Sequence, residues 1–310
     1  MKIHADLTSL DQIQRPVITI GSFDGVHLGH REMLKQLVQQ AELVDGSSVV
    51  ITFHPHPRHV LQPNSNSVHL LHTLEEKASQ LEKAGVDHLV VVPFNTAFAH
   101  LSAEAYIEDF LIRQFHPHTL IVGHDHQFGK DRIGNYALLQ HYAEKGCFHL
   151  IEIAPQLLSS ITISSTQIRK RLMKGDVESA HALLGYAYSF SGTVVAGTKT
   201  GRQLGFPTAN LALIDPQKLI PANGVYAVRA YRNNIGYKAM MNIGIRPTFG
   251  THATSIEVHL LNLDRNLYGE TLRIELVRRM RDERTFPNVE ALIEQLNKDR
   301  DEAEMQPDIN

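Results

Sequence analysis

One cysteine, Cys147, stands in a chain of 310 residues. A lone thiol makes no disulfide framework, no C-x-x-C redox pair and no cysteine-built zinc site. A reducing compartment fits that composition, and the N-terminus lacks the basic, apolar and small-residue order of a secretory leader, so a cytoplasmic protein is expected. No apolar run approaches the ~20 residues that a membrane-spanning helix requires. Excess charge of one sign is missing too: 30 Lys and Arg face 33 Asp and Glu, for a net charge of -3 and a pI near 6.7. Neither nucleic acid nor an acidic membrane is therefore expected as a partner. Repeats and low-complexity tracts are absent, and nothing in the sequence specifies an oligomeric state. What is present is 43% hydrophobic residues over a length that suits about two domains, each with its own core.

The hydrophobic pattern changes once, near Tyr186. Before it, short apolar runs alternate with helical periodicity: strands at 16–20, 48–53, 87–94, 118–122 and 147–153, separated by amphipathic stretches. Thr73 and Glu76 form a capping box for a helix that Gly85 closes, and Leu101 and Ser102 open the next helix as staple and cap. Strand–helix alternation predicts a doubly wound parallel sheet. After Tyr186, strands at 191–196, 225–231, 237–242, 255–261 and 271–277 alternate apolar with polar residues, as in a small antiparallel barrel. An amphipathic helix over 288–298, carried by Val289, Leu292, Ile293 and Leu296, is expected to pack across it, with a frayed polar end. The expected fold class is thus α/β followed by β, with domains at 1–185 and 186–310.

Chemistry concentrates first at Thr19-Ile-Gly-Ser-Phe-Asp-Gly-Val-His-Leu-Gly-His30. A buried-type strand stops at Gly21, and a helix carrying Met33, Leu34, Leu37, Val38 and Ala41 begins near Gly29 or His30. Glycines and a helix start make an anion site, with free N–H groups and a positive dipole end. His27 and His30 there can donate hydrogen bonds to charge building on a phosphate under attack. Asp24 either fixes the loop or contacts a ribose.

Four further segments carry polar groups. Histidines 54, 56 and 59, spaced by prolines after a strand, read as a loop rather than a metal site. Asn95 follows the strand over 87–94, where it is a pocket residue or a simple turn former. Gly123-His-Asp-His-Gln-Phe-Gly129 leaves another strand. Its spacing to Lys130 and Asp131 excludes a Walker A loop. Ile163-Ser-Ser-Thr-Gln-Ile-Arg169 starts a helix with Ile168 and Leu172 inward; Ser164 or Ser165 is an N-cap, or Ser164, Ser165, Thr166 and Arg169 face a polyphosphate.

In the barrel half, Gly197-Thr-Lys-Thr-Gly201-Arg-Gln-Leu-Gly205-Phe-Pro-Thr-Ala-Asn210 is the strongest string. Thr208 and Asn210 straddle Ala209 behind the rigid Pro207, and offer hard oxygens suited to a magnesium ion that keeps water and nucleotide ligands. Turns alone would account for the glycines but not for this pair.

These strings resemble two enzyme signatures. The segment ending in His27-Leu-Gly-His30 resembles the H-x-G-H motif of nucleotidylyltransferases, and its longer form resembles the flavin-adenylylating branch. The 197–210 string resembles the G-R-x-L-G-F-P-T-A-N signature of riboflavin kinases. The whole chain thus resembles the bacterial bifunctional riboflavin kinase and FAD synthetase family, which implies two reactions: riboflavin plus ATP to FMN plus ADP, then FMN plus ATP to FAD plus pyrophosphate. An alternative is a kinase whose N-terminal domain is weak or only binds nucleotide; a non-enzymatic flavin sensor is a more distant one.

The resemblance implies Mg²⁺ with ATP, and riboflavin, FMN and FAD as substrates and products. It implies Glu257 as the base for the ribityl 5′-hydroxyl, and Gly21, Phe23, Asp24, Gly25, Pro55, His56, Asn95 and Asp125 around the adenylylation pocket. Gly201, Arg202, Gly205, Phe206 and Pro207 belong to the kinase string. Arg281 and Glu283 lie in a mobile loop over the flavin or form a surface ion pair, and Glu257 is the base or pairs across a strand with Arg273 or Arg246. Three departures from the family patterns stand out: His126, Gln127 where the motif has Arg, and Thr162. A missing cation beside phosphates weakens a charge-assisted contact.

Overall fold

Short β-branched runs make the first six strands in the computed structural model, which describes residues 1–7, 10, 13–62, 68–123, 126–153, 163–197, 200–248 and 251–307. They are β1 (Lys2–His4), β2 (Val17–Ile20), β3 (Ser48–His54), β4 (His88–Pro93), β5 (Thr119–Gly123) and β6 (His149–Ile153). All pair in parallel, in the order β1-β4-β3-β2-β5-β6. Every residue of β2 is buried, as an apolar run covered on both faces should be.

The covering helices are α1 (Leu28–Leu43), α2 (Pro57–Leu61), α3 (Leu74–Lys83), α4 (Thr96–Ala99), α5 (Ala103–Ala105), α6 (Arg113–Phe115) and α7 (Tyr136–Glu144). On one face, Leu34, Leu37 and Ala41 of α1 pack with Ala78 and Leu81 of α3 against Val17, Val50 and Leu89. On the other, Tyr106, Ile107, Phe110 and Leu111 cover Ile18, Val49 and Leu120. Each fully buried Leu or Ile contributes about 1.5–3 kcal/mol.

The chain divides into two compact units, Met1–Ser165 and Thr166–Asn310. Helix α8 (Ser165–Leu172) begins at that division and α9 (Val177–Leu184) follows. The second unit then runs β7 (Ser189–Val195), α10 (Thr200–Gln203), β8 (Ala209–Leu213), β9 (Gly224–Arg232), β10 (Ile235–Thr248), β11 (Thr251–Leu260), β12 (Thr271–Arg281) and α11 (Val289–Glu304). Its strands close into an antiparallel barrel in the order β10-β11-β8-β7-β12-β9. Phe190, Tyr226, Val228, Ile243, Val258, Leu272 and Ile274 are completely buried. Helix α11 lies on β9 and β10 and turns Ile293 and Leu296 toward Phe206, Met240 and Leu261. Among the described residues no helix is long and apolar enough to cross a membrane.

Several expectations need correction. Strand β1 has three residues, too few to register as a pattern, yet it pairs with β4 at the sheet edge. Strand β8 begins in the last two residues of the 197–210 string, where turn and motif residues masked its start. The histidine and proline stretch is not all loop: after the cis His54–Pro55 bond, His56 caps α2 by accepting from Arg58 N–H. Between α5 and α6 the backbone widens to a π-helix over Tyr106–Ile112, which still buries Tyr106, Ile107, Phe110 and Leu111. Helix α11 continues to Glu304 rather than fraying at 298, because Asp299 and Ala303 are buried, while Val289 is exposed in the first turn.

Candidate active sites

In the parallel sheet the chain winds outward from β2 through β3 and β4, then restarts on the other side at β5. The crevice between the C-terminal ends of β2 and β5 is therefore the topological switch point, where open α/β sheets bind ligands. The loop over residues 21–27 leaves β2 there. Gly21 N–H donates to Ile51 O (3.0 Å) and Thr52 Oγ1 to Ser22 O (3.3 Å), tying the loop to β3. Phe23, Gly25 and Val26 hold φ of 44°, 85° and 30°. A β-branched residue in that region is strained, which only firm surroundings sustain. Phe23 and Val26 are fully enclosed in the core.

Helix α1 opens under this loop with His27 as its N-cap, the ring Nδ1 accepting from His30 N–H at 3.3 Å. The two imidazoles stack with centroids 3.7 Å apart, and Phe23 lies 5.0 Å from the His30 ring. Burial pushes His27 down to about 4 against the pull of Asp24, and burial with the charges of His27 and Lys77 holds His30 well below the usual range. Both rings are neutral at neutral pH. Each therefore offers one N–H donor, and the enclosed His30 Nδ1 has no hydrogen-bond partner among the described residues.

Asp24 sits on the loop with a role in holding it. It is 2% exposed, and its carboxylate accepts from Leu71 N–H (3.1 Å) and His72 N–H (3.0 Å), so it braces the entry to α3. Ser165 Oγ donates to Asp24 O (2.8 Å), which ties the end of the first unit to its glycine loop. Ser164 precedes it, while Thr166 and Arg169 lie further along the same helix and Ile168 and Leu172 are buried as expected. Asn95 caps α4, accepting from Phe98 N–H at 2.9 Å, and Pro55 is exposed beside half-buried His56. Asp125 and Thr162 lie outside the described residues. Lys77, which sequence reasoning passed over as one more polar helix residue, is 7% exposed and donates to Thr52 Oγ1 at 3.1 Å.

The barrel builds its site from register. Glu257 on β11 pairs with Asn242 on β10 and with Asn210 on β8, so three polar residues stand in a row across adjacent strands. Thr208, just before β8, donates its hydroxyl to Glu257 Oε2 at 3.3 Å. Asn242 Nδ2 reaches Glu283 Oε1 at 3.4 Å. Glycines leave room for this cluster: a methyl on Gly197 would strike the Asn210 amide, one on Gly244 the Glu283 carboxylate, and one on Gly201 the Phe206 carbonyl. Arg202, Pro207 and Thr208 also line a groove with Leu263, Asp264 and Tyr268. His259 Nδ1–H donates to Pro207 O (2.8 Å), fixing the turn after Gly205 and Phe206.

Arg281 departs from both of its expected placements. It ends β12 rather than sitting in a loop, and it binds Asp299 of α11 through Nη2 at 2.6 Å and Nε at 3.0 Å. Asp299 is 2% exposed, so this is a structural ion pair and not one with Glu283. Nor does Glu257 pair with Arg273, which lies on β12 over the Tyr231 ring.

The FAD synthetase family model matches residues 10–167, which include the glycine loop and Lys77, and the riboflavin kinase model residues 184–306, which include the Thr208–Glu257 cluster. The chain belongs to the bifunctional riboflavin kinase/FMN adenylyltransferase family. It is 41% identical to the member from Listeria monocytogenes, over 91% of this chain and 90% of that one. The Bacillus subtilis member is 39% identical over 93% and 92%, and the Escherichia coli K12 member 34% over 96% of both. Among solved structures, one described as a macrolide-efflux protein from Streptococcus pneumoniae superposes with a TM-score of 0.89 at 29% identity, covering 98% of this chain and 99% of that one. What the two share is the two-part fold. Beside these two sites, the residues that sequence reasoning missed are Lys77 and Asn242. Neither gave a signal: Lys77 reads as a polar helix residue and Asn242 as the polar end of the strand over 237–242.

Proposed function

We propose that this chain makes FMN at the barrel and FAD at the switch point of the parallel sheet, with modules at 186–310 and 1–185. In the first reaction the ribityl 5′-oxygen of riboflavin attacks the γ-phosphorus of ATP. The new O–P bond forms as the β,γ-bridging P–O bond breaks, ADP leaves, and Glu257 takes the hydroxyl proton. Thr208 and Asn210 orient the nucleotide. Their hydroxyl and amide oxygens beside one carboxylate are a hard donor set that fits Mg²⁺, which would be held by these residues together with ATP and would neutralise phosphate charge. Glu283, linked to Asn242, lies at the edge of the same cluster.

In the second reaction an FMN phosphate oxygen attacks the α-phosphorus of another ATP. The α,β-bridging bond breaks and pyrophosphate leaves. The nucleophile is already anionic, so no base is needed, and neutral His27 and His30 donate hydrogen bonds to the developing charge. The start of α1 offers backbone N–H groups to the phosphates beside Gly21 and Gly25 of the loop, and Ser164, Ser165, Thr166 and Arg169 of the 163–169 segment are assigned to the same role. Pro55, His56, Asn95 and Asp125 are assigned to the pocket wall.

The observation that supports this reading most is the pair of stacked, neutral imidazoles at a helix N-terminus on a switch point, in a chain that also carries the Thr208–Glu257–Asn210 row. Metabolites of this kind and one half-buried thiol suit a cytoplasmic location. The test is to incubate the protein with Mg-ATP and either riboflavin or FMN, and to resolve the flavins chromatographically with time. FAD in both arms is expected. FMN accumulating alone would favour the second reading, which His126 and Gln127 at motif positions support: a kinase whose N-terminal unit only binds nucleotide.

A further inference from the structure

Lys77 is a lysine out of place. It occupies the inner face of α3 at 7% exposure, where an ammonium needs a compensating charge. Its hydrogen bond runs to Thr52 Oγ1 (3.1 Å), and the same hydroxyl donates to Ser22 O (3.3 Å). A relay thus joins the ammonium to the backbone of the glycine loop through one buried side chain. Asp24 attracts it from the same loop, and Asp24 is anchored to Leu71 and His72 at the entry to α3. Lys77 also acts on His30 across the loop. The groups facing it are therefore Thr52 from β3, Asp24 from the loop, and His30, with His27 stacked behind, from α1.

The geometry points to Lys77 as a positioning residue for adenylyl transfer, its ammonium held by Thr52 beneath the glycine loop so as to fix the Ser22 to Asp24 backbone and add a standing positive charge under the phosphates. This rests on the adenylyl-transfer reading of the loop. Three features belong together on this view. A charge fixed below the loop is worth more than one on a mobile surface arm, because it needs no reorganisation as the transition state forms. The same charge opposes protonation of His30, keeping that ring a neutral donor. And Asp24, which would otherwise be a bare anion beside phosphates, is compensated by a cation and two N–H groups.

Burial lowers Lys77 to about 8, against the opposing pull of Asp24. The ammonium is thus present below that pH and lost above it, so kcat/KM for FMN adenylylation falls through about pH 8 in the wild-type chain.

The experiment measures FAD formation from FMN, and FMN formation from riboflavin, in the full chain carrying Lys77→Met, Lys77→Arg or Thr52→Val. Lys77→Met is expected to lower kcat for adenylylation about 100-fold with KM for FMN little changed, and to leave riboflavin phosphorylation alone. Lys77→Arg, always charged, restores most of the rate and removes the alkaline limb. Thr52→Val is nearly isosteric and breaks the relay without touching the charge; adenylylation falls about tenfold. Wild-type kcat in Lys77→Met, an unmoved alkaline limb in Lys77→Arg, or wild-type rate in Thr52→Val would each overturn the role. If Lys77→Met fails to fold, Thr52→Val decides alone. Absence of FAD from the wild-type chain would overturn the adenylyl-transfer reading itself, and this role with it.

Discussion

The loop site of the parallel sheet and the strand site of the barrel, to which the proposed function gives the same kind of phosphate chemistry, have opposite constructions. In the first, residues 21–30 are contiguous, the backbone at Phe23 and Val26 is strained, and the His27 and His30 rings are neutral because they are buried. In the second, Thr208, Asn210, Asn242 and Glu257 come from separate parts of the chain and meet because three strands pair in one register. Burial sets the properties of one site and alignment those of the other. Protonation should therefore disturb the first, and added volume the second.

The sharpest separation comes from Glu257→Gln. Losing the base is expected to cut FMN formation about 1000-fold while FAD formation from supplied FMN stays within about twofold. A chromatographic assay with both substrates checks it, and a parallel fall in the two arms would show that the regions are not independent. His30→Ala should do the reverse, lowering FAD formation about 100-fold through loss of a donor, with riboflavin phosphorylation unchanged.

Acid offers a third contrast. Because the folded protein holds His27 near 4 against an ordinary 6.5, the unfolded chain binds more protons between those values. The contribution is complete above pH 6.5 and fades as pH falls toward 4, costing on the order of 2 kcal/mol at pH 5 from this ring. His30 adds in the same direction. His181 of the second unit, also lowered to about 4 by burial, is the barrel's counterpart. Calorimetry at pH 7 and pH 5 should thus show both units weakened, and His181→Gln should confine the acid sensitivity to the unit that holds the loop.

Volume sharpens the comparison from the barrel side. Gly197→Ala displaces the Asn210 amide and is expected to lower kcat/KM for riboflavin about tenfold, with adenylylation intact. The smallest effect belongs to Asn95→Ala. Loss of its cap on α4 should reduce stability by about 1 kcal/mol, seen in denaturant unfolding. An adenylylation rate unchanged by that substitution would identify the side chain as a cap alone, whereas a raised KM would restore it to the pocket.

Much of this was legible beforehand, and for specific reasons. The Thr73–Glu76 capping box, the all-buried β2 and the apolar face of α1 follow from local rules that act within a few residues. The H-x-G-H loop was legible because its parts are adjacent in the chain. Strand β1 was not, since three residues carry no periodicity and its partner in β4 is far along the chain, with Lys2 opposite His88 and His4 opposite Val90. Arg281 misled for a related reason: charged residues near a loop look exposed until a distant Asp299 arrives to bury the pair.

By itself, then, the sequence determined most of the strands and helices, the glycine loop between β2 and α1, and the change from a parallel sheet to a barrel near Tyr186. Only the tertiary structure decided protonation and partnership. Whether His27 is neutral depends on how much water the packed loop excludes. Whether Lys77 is a surface charge or a buried one depends on Thr52 and Asp24 being brought to it. Glu257 stands beside Thr208 and Asn210 through strand register, which no stretch of neighbouring residues encodes.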